Sequence, residues 1–302
     1  MFLLYAALIL YADVLVPSNG GIVPVNTLSA KKASHRTQIR EHKSVLKGWY
    51  YIAEKLIGDG IDETIVRGVY NDARMPSFTK IPFALKPKEG PALYSELSTT
   101  TSVALAKQCL KRYYGHFTGA EREFNVPKKV LASILFVESR CGTFTGKSAI
   151  IYRLSRLASV GEPENLVYNY NEHRKADPSV TFGTTVERAS FLEETFYPQI
   201  KALIQLAALE RQNIFGIRGS SAGAFGLPQF LPTNYFDYGV DGDGDSHISL
   251  YSPADAIWSA ANYLSEKGYD NSLPLSSNRT AIWNYNHSEA YIDAVIFLAE
   301  NL

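Results

Sequence analysis

Apolar residues along this chain recur three and four positions apart and scarcely ever alternate, a pattern that suits helices and not pleated strands. The recurrence is clear in Trp49, Ile52 and Leu56 and in Ile65, Val66 and Val69. It returns through Val103–Tyr114, Pro127–Cys141, Ala189–Leu209, Pro253–Glu266 and Glu289–Leu302. Side chains with this period share one face of a helix, which must then be covered by another helix. The expected fold class is mainly α. Asn125 is read as the N-cap of the 127–141 helix, with Pro127 in its first turn. Residues 143–188 are looser, with Gly, Pro, Asn and Asp among Tyr and Val, and are read as a small β element or an insertion.

The chain has 302 residues at 46% hydrophobic content, enough for one large or two modest cores. Thirty basic residues balance thirty acidic ones, so no single-sign field exists to hold a nucleic acid, and none is expected as a partner. Phe2–Tyr11 is an unbroken apolar run, too short to span a bilayer and placed where a secretory segment would stand. Residues 1–21 are therefore read as signal-like, with export to the periplasm or cell envelope. No Lys or Arg precedes the run and Ala12 makes a poor cleavage site, so an uncleaved anchor and loose membrane association stay open. Residues 22–43 read as a tether, 44–120 as an N-terminal helical lobe and 121–302 as the main core, with the insertion at 143–188. Cys109 and Cys141 are expected as two buried small hydrophobes, with pairing in an oxidising envelope as the alternative.

One carboxylate lies on the wrong side of its helix. In the 127–141 segment the apolar stripe runs through Leu131, Ile134 and Leu135, and Glu138 falls four after Ile134 and three after Leu135. Burial disfavours the ionised form, so such a group keeps a proton near neutral pH, as a general acid must. The competing reading is a core-edge ion pair with Arg140 or Lys147.

Arg218 to Pro232 concentrates Gly, Ala and Ser, which let backbone approach a ligand or a neighbouring helix closely. Gly219-Ser220-Ser221-Ala222-Gly223 also fits the spacing of a nucleophile elbow, with Asp255 and His287 in the required order for a serine hydrolase using Ser221. An elbow needs a buried strand just before the serine, and the preceding sequence reads as helix and polar turn.

Asp241-Gly242-Asp243-Gly244-Asp245-Ser246-His247 sets carboxylates at loop positions one, three and five and the His247 carbonyl at seven, the EF-hand spacing for Ca2+. Position six is Ser246 in place of Gly and position twelve is Ser252 in place of Glu, so Asp255 is the residue expected to close the ligand set over 241–255. The ion would be structural, and no organic cofactor is expected.

Three segments together resemble the membrane-bound lytic transglycosylase B family, whose catalytic core is goose-lysozyme-like. They are Val137-Glu138-Ser139-Arg140-Cys141-Gly142, then Ser220-Ser221-Ala222-Gly223-Ala224-Phe225-Gly226-Leu227-Pro228-Gln229-Phe230-Leu231-Pro232, then His247-Ile248-Ser249-Leu250-Tyr251-Ser252-Pro253-Ala254-Asp255-Ala256-Ile257. A fourth, Tyr285-Asn286 followed by Tyr291, is similar to the segment that closes the cleft in these enzymes. Ser139 stands where the family usually has Thr, and Cys141 where an aromatic is common. The resemblance implies a lysozyme-like fold with one EF-hand-like loop, acting as a monomer on peptidoglycan glycan strands. It implies cleavage of the MurNAc-GlcNAc β-1,4 bond with formation of 1,6-anhydro-MurNAc ends. Glu138 would be the single general acid and base, and Ser220, Gln229, Tyr263, Tyr285, Asn286, Tyr291 and Arg188 would line the subsites. A non-catalytic peptidoglycan-binding protein on the same fold is the rival expectation.

Overall fold

The computed structural model describes residues 45–87 and 94–302, so the expected signal-like segment and tether lie outside the described residues. Twelve α-helices occur among the described residues: α1 Tyr50–Gly58, α2 Glu63–Asn71, α3 Thr100–Arg112, α4 Tyr114–Phe124, α5 Lys128–Ser139, α6 Ile150–Leu157, α7 Pro163–Ala176, α8 Phe182–Leu209, α9 Pro232–Tyr238, α10 Pro253–Glu266, α11 Arg279–Tyr285 and α12 Glu289–Asn301. Two strands of two residues each, β1 Ser148–Ala149 and β2 Arg218–Gly219, pair antiparallel with Ser148 opposite Gly219. The mainly α reading holds. Most of the looser stretch 143–188 is helical: α6 buries Ile150, Ile151, Leu154 and Leu157, while α7 turns the polar Asn165 and Asn169 inward, an arrangement that apolar periodicity does not register. Among the described residues no helix is long and apolar enough to cross a membrane.

The chain forms two compact units, each assembled from separate stretches. One holds residues 45–86 and 154–201; the other holds 94–153 and 202–302. The stretch expected as an insertion in the core thus belongs largely with the first helices, and the 44–120 lobe is divided between units. Periodicity names helices but not their partners, which is why sequence order misled here.

In the first unit Trp49 anchors the core of α1 and α2, edge-on to Phe78 with centroids 5.1 Å apart, and its indole N–H donates to the Pro76 carbonyl at 2.7 Å. Asp62 caps α2 by accepting from the Thr64 and Ile65 amides. An extended segment has no strand beside it; instead buried Asn165 and Asn169 of α7 accept from the Ile81 and Phe83 amides at 2.7 and 3.0 Å. Those side chains supply the partners a sheet would have supplied.

In the second unit α5 is buried along its whole length from Val130 to Ser139. A helix that is apolar all round needs neighbours on several sides, and α3, α4, α10 and α12 provide them. On α4, Gly119 lets the Trp258 indole of α10 approach within 3.1 Å of where a Cβ would stand. Asn125 does not cap α5. It ends α4 in the left-handed conformation, φ 54°, a role Asn fills because its short polar side chain tolerates that region. Cys109 and Cys141 are bonded to each other, with Cα atoms 6.2 Å apart, correcting the expectation of two free thiols. Their separation of 32 residues hides the fact that α3 and the end of α5 lie side by side.

Candidate active site

Glu138 occupies the last turn of α5 and is 6% exposed. The phenol of Tyr291 donates to its Oε1 at 2.9 Å. Tyr291 is held for this by its own helix start, where Ser288 caps α12 and accepts from the Tyr291 amide at 3.2 Å. Burial pushes the Glu138 carboxyl well above the ordinary carboxylate range, and the hydrogen bond from Tyr291 pulls the other way. Burial wins, since removing a carboxylate from water costs several kcal/mol whereas one hydrogen bond returns about 1–3. Neither Arg140 nor Lys147 neutralises Glu138, and no second carboxylate acts on it among the described residues.

Around the pair stands an aromatic wall. Tyr285 stacks on Tyr291 at 6.5 Å and 16°, and its hydroxyl donates to the Pro228 carbonyl at 2.8 Å. Tyr263 meets Tyr285 edge-on at 4.9 Å, and Phe230 packs against both. Burial and the neighbouring carboxyl push both Tyr285 and Tyr291 well above the usual phenol range, so they are neutral donors. Asn286 donates to the Tyr94 hydroxyl at 3.3 Å, and Tyr94 meets Tyr291 edge-on at 6.0 Å.

The segment after Glu138 and the Gly-rich turn are two halves of one assembly. Arg140, Cys141 and Gly142 follow α5 in succession at φ 50°, 56° and 87°. For the two non-glycine residues this conformation costs about 1 kcal/mol each, so the surroundings must hold it. Ser139 Oγ donates to the Leu227 carbonyl at 2.7 Å and accepts from the Gly142 amide at 2.9 Å. Gln229, itself at φ 52°, donates from Nε2 to the Gly226 and Thr145 carbonyls at 2.7 and 3.1 Å. A Cβ on Gly146 would fall 2.0 Å from the Gly219 carbonyl carbon, so only glycine permits that approach. Ser220 closes the far side of the turn by accepting from the Ala224 amide at 3.1 Å.

The serine-hydrolase reading fails on this geometry. Ser221 follows a strand of only two residues, and both oxygens of Asp255 are taken by the Gly242 and Ser249 amides at 2.9 and 2.7 Å. His287 lies instead against the Trp283 ring.

The acidic loop joins α9 to α10. Carboxylate oxygens of Asp241, Asp243 and Asp255 all lie within 4.8 Å of one another. That span matches oxygens on opposite sides of a Ca2+ with ligands at about 2.4 Å, and an all-oxygen set suits a hard cation. Asp241 accepts from the Gly244, Asp245 and Ser246 amides, which pull its carboxyl below the usual range. Burial pushes the Asp255 carboxyl up, and its two like-charged neighbours add to this. Asp245 stands outside the cluster and accepts from the His247 amide, while the His247 ring faces Glu210 at 3.5 Å.

Residues 49–278 match the family described as Transglycosylase SLT domain. The chain belongs to this SLT transglycosylase family. Over 158 residues, 52% of this chain, it is 30% identical to the membrane-bound lytic murein transglycosylase B of Escherichia coli strain K12, a match spanning 36% of that relative's length. The solved structure of E. coli lytic transglycosylase SLT35 in complex with calcium is similar with a TM-score of 0.61, at 22% identity over 84% of this chain and 91% of that one. SltB3 from Pseudomonas aeruginosa in complex with NAG-anhNAM-pentapeptide is similar with a TM-score of 0.61, at 20% identity over 83% of this chain and 77% of that one. These two likenesses carry the fold, which is that of lysozyme-like SLT transglycosylases.

Of the site residues expected for an SLT transglycosylase, the structure gathers Glu138, Tyr291, Tyr285, Tyr263 and Asn286 into one connected cluster, with Gln229 and Ser220 on the turn that Tyr285 touches. Arg188 lies in the other unit, where its Nε donates to the Ala84 carbonyl and it lines a cleft of about 670 Å³ with Lys86, His173 and Asp177. Sequence reasoning missed Tyr94, which stands in no motif, and the bracing role of Ser139, which a small hydroxyl beside a buried Glu in an SLT motif could have suggested.

Proposed function

We propose that this chain is a lytic transglycosylase of peptidoglycan that uses Glu138 as its single acid and base. The observation that carries the reading is a carboxyl buried at the end of α5 and held by the Tyr291 hydroxyl, within the stretch that matches the SLT transglycosylase family. Glu138 gives its proton to the glycosidic oxygen as the bond from the muramoyl C1 breaks. The substrate's 2-acetamido group stabilises the positive centre, which is why one carboxylate suffices. The muramoyl 6-hydroxyl then closes on C1 and returns its proton to Glu138, leaving a 1,6-anhydro end with no water consumed.

Tyr285, Tyr263 and Asn286 form the sugar-binding wall in this reading, with Ser220 and Gln229 on the turn beside it. Tyr291 is the residue that aims Glu138. The 241–255 loop is an EF-hand-like Ca2+ site in which Asp241, Asp243 and Asp255 hold the ion and fix the approach to α10. The Cys109–Cys141 bond and a cell-wall substrate both favour the cell envelope as the place of action.

Mass analysis of fragments released from murein sacculi tests the assignment. Anhydro-muramoyl ends, absent with Glu138→Gln, are the expected result. Reducing muramic acid ends would make the enzyme a hydrolase, and no release by the parent protein would leave a binding protein.

A further inference from the structure

The single covalent cross-link of the described residues is anchored three positions after Glu138. Cys141 carries it in the middle of the Arg140–Gly142 left-handed run, at φ 56°, and Cys109 receives it in the last turn of α3. The amides of Arg140 and Cys141 still bond back to α5, at the Phe136 and Leu135 carbonyls, and the Phe144 amide donates to the Ser139 carbonyl at 2.8 Å. Hydrogen bonds therefore outline the turn, and the disulfide ties it to a second helix. Two non-glycine residues in this conformation persist only where the surroundings over-determine them. The cross-link is the part of those surroundings that a change of redox state removes. Both cysteines are more than nine-tenths buried, so removing the bond also loosens the packing that keeps water from the end of α5.

We propose that the Cys109–Cys141 disulfide is a redox-sensitive positioning bond for Glu138, so that the chain turns over glycan strands fully only when it is oxidised. The proposal rests on the transglycosylase reading above. Reduction needs a dithiol as co-reactant. Its thiolate attacks one cysteine sulfur and the second thiol resolves the mixed disulfide. Two electrons and two protons pass to Cys109 and Cys141, and the dithiol leaves as its own disulfide.

The test compares three samples of the full chain: oxidised, reduced with dithiothreitol, and carrying Cys109→Ala with Cys141→Ala. Each is assayed on soluble uncross-linked glycan strands, with amide hydrogen exchange of residues 139–144 followed in parallel. In the reduced sample we expect kcat to fall on the order of ten-fold, short of the ~10²-fold that a full ångström of misplacement can cost. KM stays the same, exchange of 139–144 accelerates, and reoxidation restores both. The double variant behaves as the reduced protein; if it does not fold, the reduced parent carries the test alone. Unchanged exchange on reduction overturns the proposal whatever the activity, and so does faster exchange with unchanged kcat. A lower melting temperature with kcat and KM intact marks the bond as merely structural. An oxidised parent that forms no anhydro ends overturns the transglycosylase reading, and the proposal with it.

Discussion

Tyr291 and Glu138, 153 positions apart in sequence, meet at 2.9 Å through a hydrogen bond that opposes the very pKa rise burial imposes on the carboxyl. The pair is tuned by two unequal forces. Burial holds the proton on, while Tyr291 fixes Oε1 and makes the proton easier to release. A general acid needs both properties at once.

Replacing Glu138 by Gln should lower the release of anhydro ends by about 10²–10⁴-fold, the usual contribution of a positioned acid. The same variant should be more stable at alkaline pH. In the folded parent Glu138 keeps a proton that the unfolded chain loses near pH 4.3. Its contribution to stability is complete below that value and is lost as pH rises through the raised folded value. Thermal melts across pH 4 to 9 should show this decline in the parent and its absence in Glu138→Gln.

Tyr291→Phe removes the interaction that pulls the Glu138 value down. The alkaline limb of the kcat profile, where Glu138 loses its proton, should move to higher pH, and folding should weaken by about 1 kcal/mol. An alkaline limb that stays in place would show that the phenol does not act on the titrating group.

Chelation should lower the melting temperature of the parent, and Asp243→Asn should shrink that response, since Asp243 is exposed and serves the loop chiefly through its charge. Asp255→Asn behaves differently. Asp255 is buried and accepts from two backbone amides, so its replacement should cost about 2 kcal/mol with chelator present or absent. Calorimetric titration with Ca2+ separates the two effects.

Ser221→Ala should leave release of anhydro ends unchanged. A loss as large as that in Glu138→Gln, read in the same assay, would return the nucleophile elbow to consideration.

Much of this was legible in the residues. Helix α10 runs from Pro253 to Glu266 as its period predicts, because a Pro at its start and one wide apolar face leave few alternatives. Glu138 was legible because a charge on an apolar stripe is an anomaly in one dimension. Tyr94 was not, since its importance comes from a ring contact and a hydrogen bond made about 190 positions away. Cys109 and Cys141 misled because a pair of cysteines without a motif carries no distance information. Asn125 misled because an Asn before a Pro fits the start of one helix as well as the end of another. The division into units was hidden for the same reason as the disulfide: periodicity says what a segment is, not what it touches.

That division bears on how the protein is made. Neither unit is continuous in sequence, and residues 45–86 have no complete partner set until residue 201 has been synthesised. During translation the early helices can pack on one another first, and they gain the rest of their unit's core only more than a hundred residues later. Cutting through residue 86 would open one unit and cutting after residue 201 would open the other, so a smaller version carrying the Glu138 site would have to be built by rejoining 94–153 to 202–302 and not by trimming an end.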